Sequence, residues 1–236
     1  MKKSQDETGS TRRANSNQKA GPRSFFSKEE IVSAAMAIIY ERGHESLSMR
    51  ALASRLGTGP ATIYNYFPSQ SEVEEAVVDR MLADVHPPSH EKAASIRDQL
   101  IEMGEAYRNL ILHHPQFDQI SARVPGGSAI RLMNATLRAL TEAGVPIERA
   151  GLSYAVLRAI AHNQAITSRA AKDANLQKVR QGWISALPAT DTDNIKSYFA
   201  SPLFKGTAEE VFRRSLGMAI DALLPEIAGT AGKKRR

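Results

Sequence analysis

The sequence predicts an all-α protein with a small N-terminal domain and a larger C-terminal domain. Apolar residues recur at the three- and four-residue spacing of helices, and no stretch alternates apolar and polar residues as a half-exposed strand would. Ser27 and Ser69 each stand three residues before a glutamate, the pattern of a helix-starting capping box. Gly43, Gly57 and Pro68 are placed to end helices. A chain of 236 residues is long enough for a sizeable core.

Changes in composition divide the chain into four parts. Residues 1–24 are polar and basic without apolar periodicity, and are predicted to form a disordered arm. Residues 25–86 carry short helical patterns, and a Pro-Pro break after His86 separates them from the longer patterns of residues 87–228. Residues 229–236 form a basic tail.

Composition also excludes several classes of protein. Without cysteine there is no disulfide, thiolate metal site or cysteine nucleophile, which fits a reducing compartment. No apolar run reaches the roughly 18 residues that a membrane span needs, and the N-terminus lacks the apolar core of a signal peptide. A cytoplasmic protein is therefore expected. It is not expected to be an enzyme, since it has no glycine-rich phosphate loop, G-x-S-x-G elbow or H-E-x-x-H motif.

The formal net charge of +6 is concentrated at the two ends of the chain. Residues 1–24 hold six Lys or Arg and two acidic residues, and the last four residues are all basic. Residues 25–80 instead hold five basic and eight acidic residues. The net charge alone therefore does not argue that the N-terminal domain binds nucleic acid. The arm could lie against DNA phosphates or enter the minor groove, or it could be a solubilising tail.

Residues 48–67 predict a helix, a tight turn and a second helix. Ser48 is a favourable N-cap for the first helix. Gly59 and Pro60 begin the second, because proline at the first helical position lacks only an amide that would be unpaired. Two short helices joined in this way form a helix-turn-helix, whose second helix can enter the DNA major groove. A tight helical hairpin packed in a core is the alternative interpretation.

The outward side chains of this segment are suited to DNA recognition. Thr62 and Asn65 can hydrogen-bond to base edges, and Ala61 can touch a thymine methyl group. Tyr64 and Tyr66 can donate hydrogen bonds to phosphates. The further candidates are Pro60, which is also outward, and the cations Arg50 and Arg55 on the preceding helix.

Residues 27–82 resemble the DNA-binding domain of the tetracycline-repressor (TetR) family of bacterial regulators. The resemblance is carried by a first helix ending at Gly43 and by the segment SLSMRALASRLGTGPATIYNYFPSQSEV. Residues 95–225 resemble, more weakly, the ligand-binding domain of the tetracycline-repressor subgroup. The matching segments there are LILHHPQF, SAIRLMNATLRALTEAGVP and a closing amphipathic helix.

The resemblance implies which residues contact DNA. The implied base contacts are Pro60, Ala61, Thr62 and Asn65, and the implied backbone contacts are Ser48, Tyr64, Tyr66 and the residue at position 70. The family usually has a phosphate-binding lysine at that last position, where this chain has Gln70. This departure and the acidic balance of residues 25–80 suggest weak non-specific affinity for DNA.

The resemblance also implies a ligand-responsive repressor that binds a palindromic operator in double-stranded DNA as a homodimer and is released by a small molecule. Helices 146–171 and 207–224 are expected to form a four-helix bundle with those of a second copy. Ordinary core packing of these helices is the alternative. The alternative function is a helical interaction module that has lost specific DNA binding.

The effector is expected to bind among helices 95–113, 128–143 and 146–171, where apolar walls surround a few polar groups. The candidate residues are Met103, Met133, Leu137, His162, Asn163 and Gln164. The last three could instead lie at the dimer interface or on the surface. No cofactor and no obligatory metal are expected. Although tetracycline repressors bind a metal–drug chelate, the adjacent His113 and His114 point to different faces of their helix.

Overall fold

The computed structural model describes residues 26–124, 127–171 and 206–228, with residues 178, 182, 185–188, 192–194, 197 and 201. The N-terminal helices are α1 (Lys28–Arg42), a 3₁₀ turn (His44–Ser46), α2 (Met49–Arg55), α3 (Pro60–Tyr64) and α4 (Gln70–Met81). The C-terminal helices are α5 (Ile96–His113), α6 (Phe117–Ser121), α7 (Gly127–Glu142), α8 (Ile147–Ala171), α9 (Ala208–Leu223) and α10 (Pro225–Ala228). No strand occurs in the described residues, so the all-α prediction is confirmed.

The ends of α1 follow the local chemistry of the sequence. The Ser27 hydroxyl accepts a hydrogen bond from the Glu30 amide at 3.1 Å, and the Glu30 carboxylate accepts one from the Ser27 amide at 2.6 Å. The helix ends at Gly43, whose φ of +81° is costly for other residues. Between these ends the predicted apolar stripe, which includes Ile31 and Ile38, is buried.

Helix α4 differs from the prediction at both ends. Only half of the predicted capping box forms at its start, where the Ser69 hydroxyl accepts a bond from the Glu72 amide at 3.2 Å. The apolar spacing ahead of the proline break predicts a helix to about Val85, but α4 ends at Met81. The Val85 amide instead donates to the Leu82 carbonyl at 2.9 Å, a bond that tightens the chain into a turn.

Helix α4 packs on both parts of the molecule. It contacts α1 on the N-terminal side and α6 and α7 on the C-terminal side. The segment that follows it is held by the buried side chain of Gln99, which accepts a bond from the Ser89 amide and donates to the carbonyls of Ser89 and Ala94, at 2.8–2.9 Å. The proline break is therefore tied to α5 by hydrogen bonds.

The C-terminal part is built on α5 and α8, which pack on each other and on α9. Arg97 and Asp221 form a two-fold hydrogen-bonded ion pair between α5 and α9, with N–O distances of 2.6 and 2.8 Å. Gly104 permits their close approach, because a Cβ at this position would lie 2.4 Å from the Cδ2 of the fully buried Leu216.

Several predicted segments lie outside the described residues. These are the basic arm at 1–24 and the basic tail at 229–236. The turn-forming residues of 186–206 predict a long connection, most of which also lies outside the described residues. Within it, residues 192–194 and 197 are helical. In the part of the chain that the structure describes, no helix is both long enough and apolar enough to cross a membrane.

Candidate nucleic-acid interface and helical cavity

Helices α2 and α3 form the predicted helix-turn-helix. The Ser48 hydroxyl caps α2 by accepting a bond from the Ala51 amide at 3.1 Å. The turn passes through Gly57, whose φ is +66°, and the Thr58 amide then closes it onto the Ala53 carbonyl at 2.9 Å. Because Leu52 and Ala53 are buried, the inner face of α2 fixes the position of α3.

The outer face of α3 carries the predicted base-contacting residues. Pro60, Ala61 and Asn65 are exposed, and Tyr64 is exposed beside them. Thr62 is half-buried, and its hydroxyl accepts a bond from the Thr58 hydroxyl at 2.9 Å. That bond leaves the proton of the Thr62 hydroxyl free to be donated.

Tyr66 has a packing role in addition to its predicted phosphate contact. Its ring is half-buried against the core, and its hydroxyl accepts a bond from the Phe26 amide at 3.2 Å. This bond joins the residues after α3 to the chain that enters α1. The hydroxyl keeps its own proton, so the phenol can still act as a donor to a phosphate.

Of the two arginines predicted to contact phosphates, one is already held in an ion pair. Arg55 donates two hydrogen bonds to the Glu41 carboxylate, both at 2.7 Å. Hydrogen bonding to Arg55 lowers the pKa of Glu41, so the pair stays charged at neutral pH. Arg50 is exposed and forms no ion pair with any described residue. The Gln70 amide donates to Glu74 at 2.8 Å, so it is directed along its own helix.

The C-terminal helices enclose a narrow, mostly apolar cavity in the region predicted for the effector. Its α5 wall is formed by Leu100, Met103, Gly104 and Tyr107. Its α8 wall is formed by Tyr154, Leu157, Arg158 and Ala161, and Leu132 of α7 and Val85 complete the lining. Its free volume is about 20 Å³, close to the room that one water needs. A ligand would require these side chains to move apart.

Of the six predicted ligand residues, only Met103 lines this cavity. Met133 is exposed, and Leu137 packs beside the core without reaching the lining. His162 pairs with Asp118 of α6, Asn163 is exposed, and the Gln164 side chain lies near the Thr167 hydroxyl. The α8 lining ends at Ala161. His162 and Asn163 lie on other faces of the helix, and Gln164 lies on the lining face but beyond its last residue.

Three polar residues of the cavity were missed from the sequence: Tyr107, Tyr154 and Arg158. Burial raises the pKa of Tyr107 to about 12 and also raises the pKa of Tyr154, so both remain protonated at neutral pH. A signal was present, since residues 154, 157, 158 and 161 share one helical face at the i, i+3, i+4 and i+7 spacing.

Hydrogen bonds join the N-terminal helices to the C-terminal part of the molecule. The carboxylate of Glu75 accepts a bond from the Gly127 amide at 2.9 Å, and that of Asp79 accepts one from the Ser128 amide at 3.2 Å. These amides begin α7, where acidic groups are favoured by the helix dipole. Arg123 near α6 also donates to Glu45 at 2.5 Å. We call the Glu75 and Asp79 bonds the α4–α7 latch.

An exposed, largely apolar stripe runs along α8. Leu152 is 70% exposed, and Val156, Ala159, Asn163 and Ile166 follow it on the same helical face. On α9, Met218 is also exposed, at 58%. Apolar side chains in such a row are costly in water, so this surface is suited to contact with another chain.

Comparison with known families agrees with this architecture. Residues 31–77 match the family model described as bacterial regulatory proteins, tetR family. Among the relatives is the HTH-type transcriptional repressor DrrR1 of Streptomyces coeruleorubidus, 30% identical over 127 residues, which are 53% of this chain and 47% of that protein. Another is the class A tetracycline repressor protein from transposon 1721 of Escherichia coli, 31% identical over 116 residues, or 48% and 54%. The chain thus spans about half the length of the curated relatives that it matches.

Solved structures match over more of the chain. The Streptomyces coelicolor TetR family protein ActR in complex with (S)-DNPA superposes with a TM-score of 0.65 and 25% identity, over 85% of this chain and 98% of that one. ActR in complex with actinorhodin gives a TM-score of 0.63 and 27% identity, over 86% and 99%. The likeness therefore includes the C-terminal helices as well as the helix-turn-helix.

Proposed function

Since this chain belongs to the tetR family of bacterial regulatory proteins, we propose that it is a homodimeric repressor that a small molecule releases from a palindromic DNA operator. The observation that carries the proposal is the exposed face of α3, with Ala61, Tyr64 and Asn65 directed to solvent on a helix that α2 holds in place.

The side chains of α3 divide into two roles on DNA. Asn65 can bind adenine through two hydrogen bonds, Thr62 can donate to a base acceptor, and Ala61 can touch a thymine methyl group. Tyr64, and Arg50 on the preceding helix, are exposed and can contact phosphates, which sets position on the duplex without reading sequence.

A second copy of the chain would cover the exposed stripe on α8 and α9. In this arrangement two α8 and two α9 helices form a four-helix bundle. The two-fold axis of such a dimer places the recognition helices about 34–36 Å apart, so the operator is a palindrome with half-sites one helical turn apart. The apolar exposure of Leu152 and Met218 supports this interface.

The position of the cavity supports release by a ligand. Its lining includes Val85, in the turn after α4, and Leu132 on α7, and the α4–α7 latch joins these two helices. A ligand larger than the narrow cavity would push these elements and so shift α4, which packs against α1. Such a ligand must bind the DNA-incompetent state more tightly, typically by about 1–3 kcal/mol.

A gel shift with DNA from upstream of the protein's own coding sequence tests DNA binding by this face. The wild-type chain is expected to bind in a salt-dependent manner, and Asn65→Ala to bind more weakly by about 1–3 kcal/mol. Asn134→Ala, at an exposed position on α7, is the matched control. Equal binding by all three proteins would remove α3 as the reading element, and no binding by any would favour a helical interaction module.

A further inference from the structure

We propose that the effector of this chain is an apolar molecule with an acidic group, a carboxylate or an acidic phenol, and that Arg158 binds the anion. The inference rests on the proposed function, because it assigns the chemical class of the molecule that enters the helical cavity. It is argued from the charge, the donors and the walls of that cavity.

The cavity walls favour an apolar body. Leu100 and Met103 of α5, Leu157 of α8 and Leu132 of α7 all line the cavity, and these four side chains are buried. Burying apolar surface of a ligand against such walls provides most of the affinity of small-molecule sites.

The polar groups of the cavity favour an anion. Among the described residues that line it, Arg158 is the only charged one, and it forms no ion pair with another described residue. The Asp118 carboxylate, which contributes to the raised pKa of Tyr107, is paired with His162 and not with Arg158. A cationic ligand would be repelled by the guanidinium, whereas a carboxylate can accept two parallel hydrogen bonds from it.

Two phenols add donors beside Arg158. Tyr107 is buried and Tyr154 half-buried, and burial holds both in the protonated form at neutral pH. The Arg158 charge lies close enough to Tyr107 to oppose part of the rise in its pKa. The cavity therefore offers a guanidinium and two hydroxyl donors, and its lining within the described part of the chain includes no carboxylate.

Arg158 is also placed to admit a ligand. Arg158 is exposed and also lines the cavity, so it lies where the cavity opens to solvent. Its flexible stem can move to open the narrow space and close again on the anion. The apolar body would then lie inward, towards Leu100 and Leu132.

Calorimetric titration with matched acids and amides tests this assignment in the full chain. The probes are 1-naphthylacetate with 1-naphthylacetamide, and 9-anthracenecarboxylate with its amide. Wild-type protein is expected to bind at least one acid more tightly than its amide, on the order of tenfold, because only the acid forms a charge-assisted bond. Arg158→Gln should abolish this preference, and Arg158→Lys should keep part of it through the charge.

The control is Arg138→Gln, since Arg138 is exposed on α7 and does not line the cavity. This variant should keep the wild-type preference for the acid. Equal affinity of wild type for acid and amide, a preference that persists in Arg158→Gln, or no binding of any probe would each overturn the assignment. DNA binding measured on the same preparations separates the two proposals, because loss of operator binding by wild type contradicts the proposed function instead.

Discussion

The Arg55 side chain shows how one ion pair sets the charge of a surface proposed to meet DNA. Its guanidinium is bound by Glu41, so the predicted phosphate contact requires that this pair first be broken. Hydrogen bonding to Glu41 raises the pKa of Arg55, so the arginine is charged but already occupied. Together with Gln70, which replaces the family's usual lysine, this leaves Arg50 as the available cation of the α2–α3 unit.

Glu41→Gln should therefore increase the electrostatic part of DNA binding. The variant weakens the partner of Arg55 and allows the guanidinium to reach a phosphate. The plot of log affinity against log salt concentration should steepen by roughly one unit for one added contact. Fluorescence anisotropy over a salt series measures the slope, with the exposed Glu29→Gln as a control for the loss of one negative charge. An equal increase of the slope in both variants would mean that the effect comes from the lost negative charge and not from a contact of Arg55 with a phosphate.

Local chemistry explains which elements could be predicted from the sequence. The start of α1 and the turn between α2 and α3 depend on Ser27, Gly57 and Pro60, and these act through neighbouring backbone atoms. The end of α4 was predicted less well, because the turn after Met81 depends on bonds that helical spacing does not reveal. The ion pair of Arg55 depends on how α1 and α2 cross, which no local pattern records.

The hydrogen bonds of the α4–α7 latch are expected to transmit a change in the cavity to the helix-turn-helix. In the double variant Glu75→Gln, Asp79→Asn the two acceptors at the start of α7 lose their charge. We expect the free energy of unfolding to fall by about 1–2 kcal/mol, since charge-assisted bonds at partly exposed sites are weakened by solvent. We also expect a smaller change in operator affinity when the effector binds.

Thermal unfolding and operator titration with and without effector measure these two effects. Asp84→Asn removes an exposed charge just beyond α4 and is the matched control. A double variant with wild-type coupling would show that the domains communicate by another route, such as the packing of α4 on α6.

At the scale of the whole molecule, binding of two α3 helices to one operator depends on the proposed dimer surface of the C-terminal helices. The stripe on α8 is exposed in one copy, with Leu152 at 70% and Met218 of α9 at 58%. Leu152→Glu should prevent burial of this stripe, because a carboxylate in the interface would be desolvated without a partner. Sedimentation should then show a monomer, and operator binding should fall steeply although the α-helical content is unchanged.

The matched control for that variant is Met133→Glu, at an exposed apolar position on α7. It should remain dimeric and bind DNA like wild type. A dimer in Leu152→Glu, or equal disruption by both variants, would place the interface elsewhere on the molecule.

The cavity is the part of the molecule that the sequence predicted least completely. Its region among α5, α7 and α8 was predicted, and Met103 was correctly placed there. Tyr107, Tyr154 and Arg158 were not, because the lining combines residues of four segments whose rotation about their axes is set by tertiary packing. His162 was favoured for its polarity, yet its helical face carries it to Asp118 of α6.

Selection of bound sequences from a random pool of double-stranded DNA, with the full chain as bait, tests the proposed repressor dimer most directly. We expect enrichment of a palindrome whose half-sites are centred about 10 base pairs apart, or a multiple of that spacing. Two reading helices related by a two-fold axis require this symmetry. Enrichment of an asymmetric single site, or of no sequence at all, would contradict the proposal.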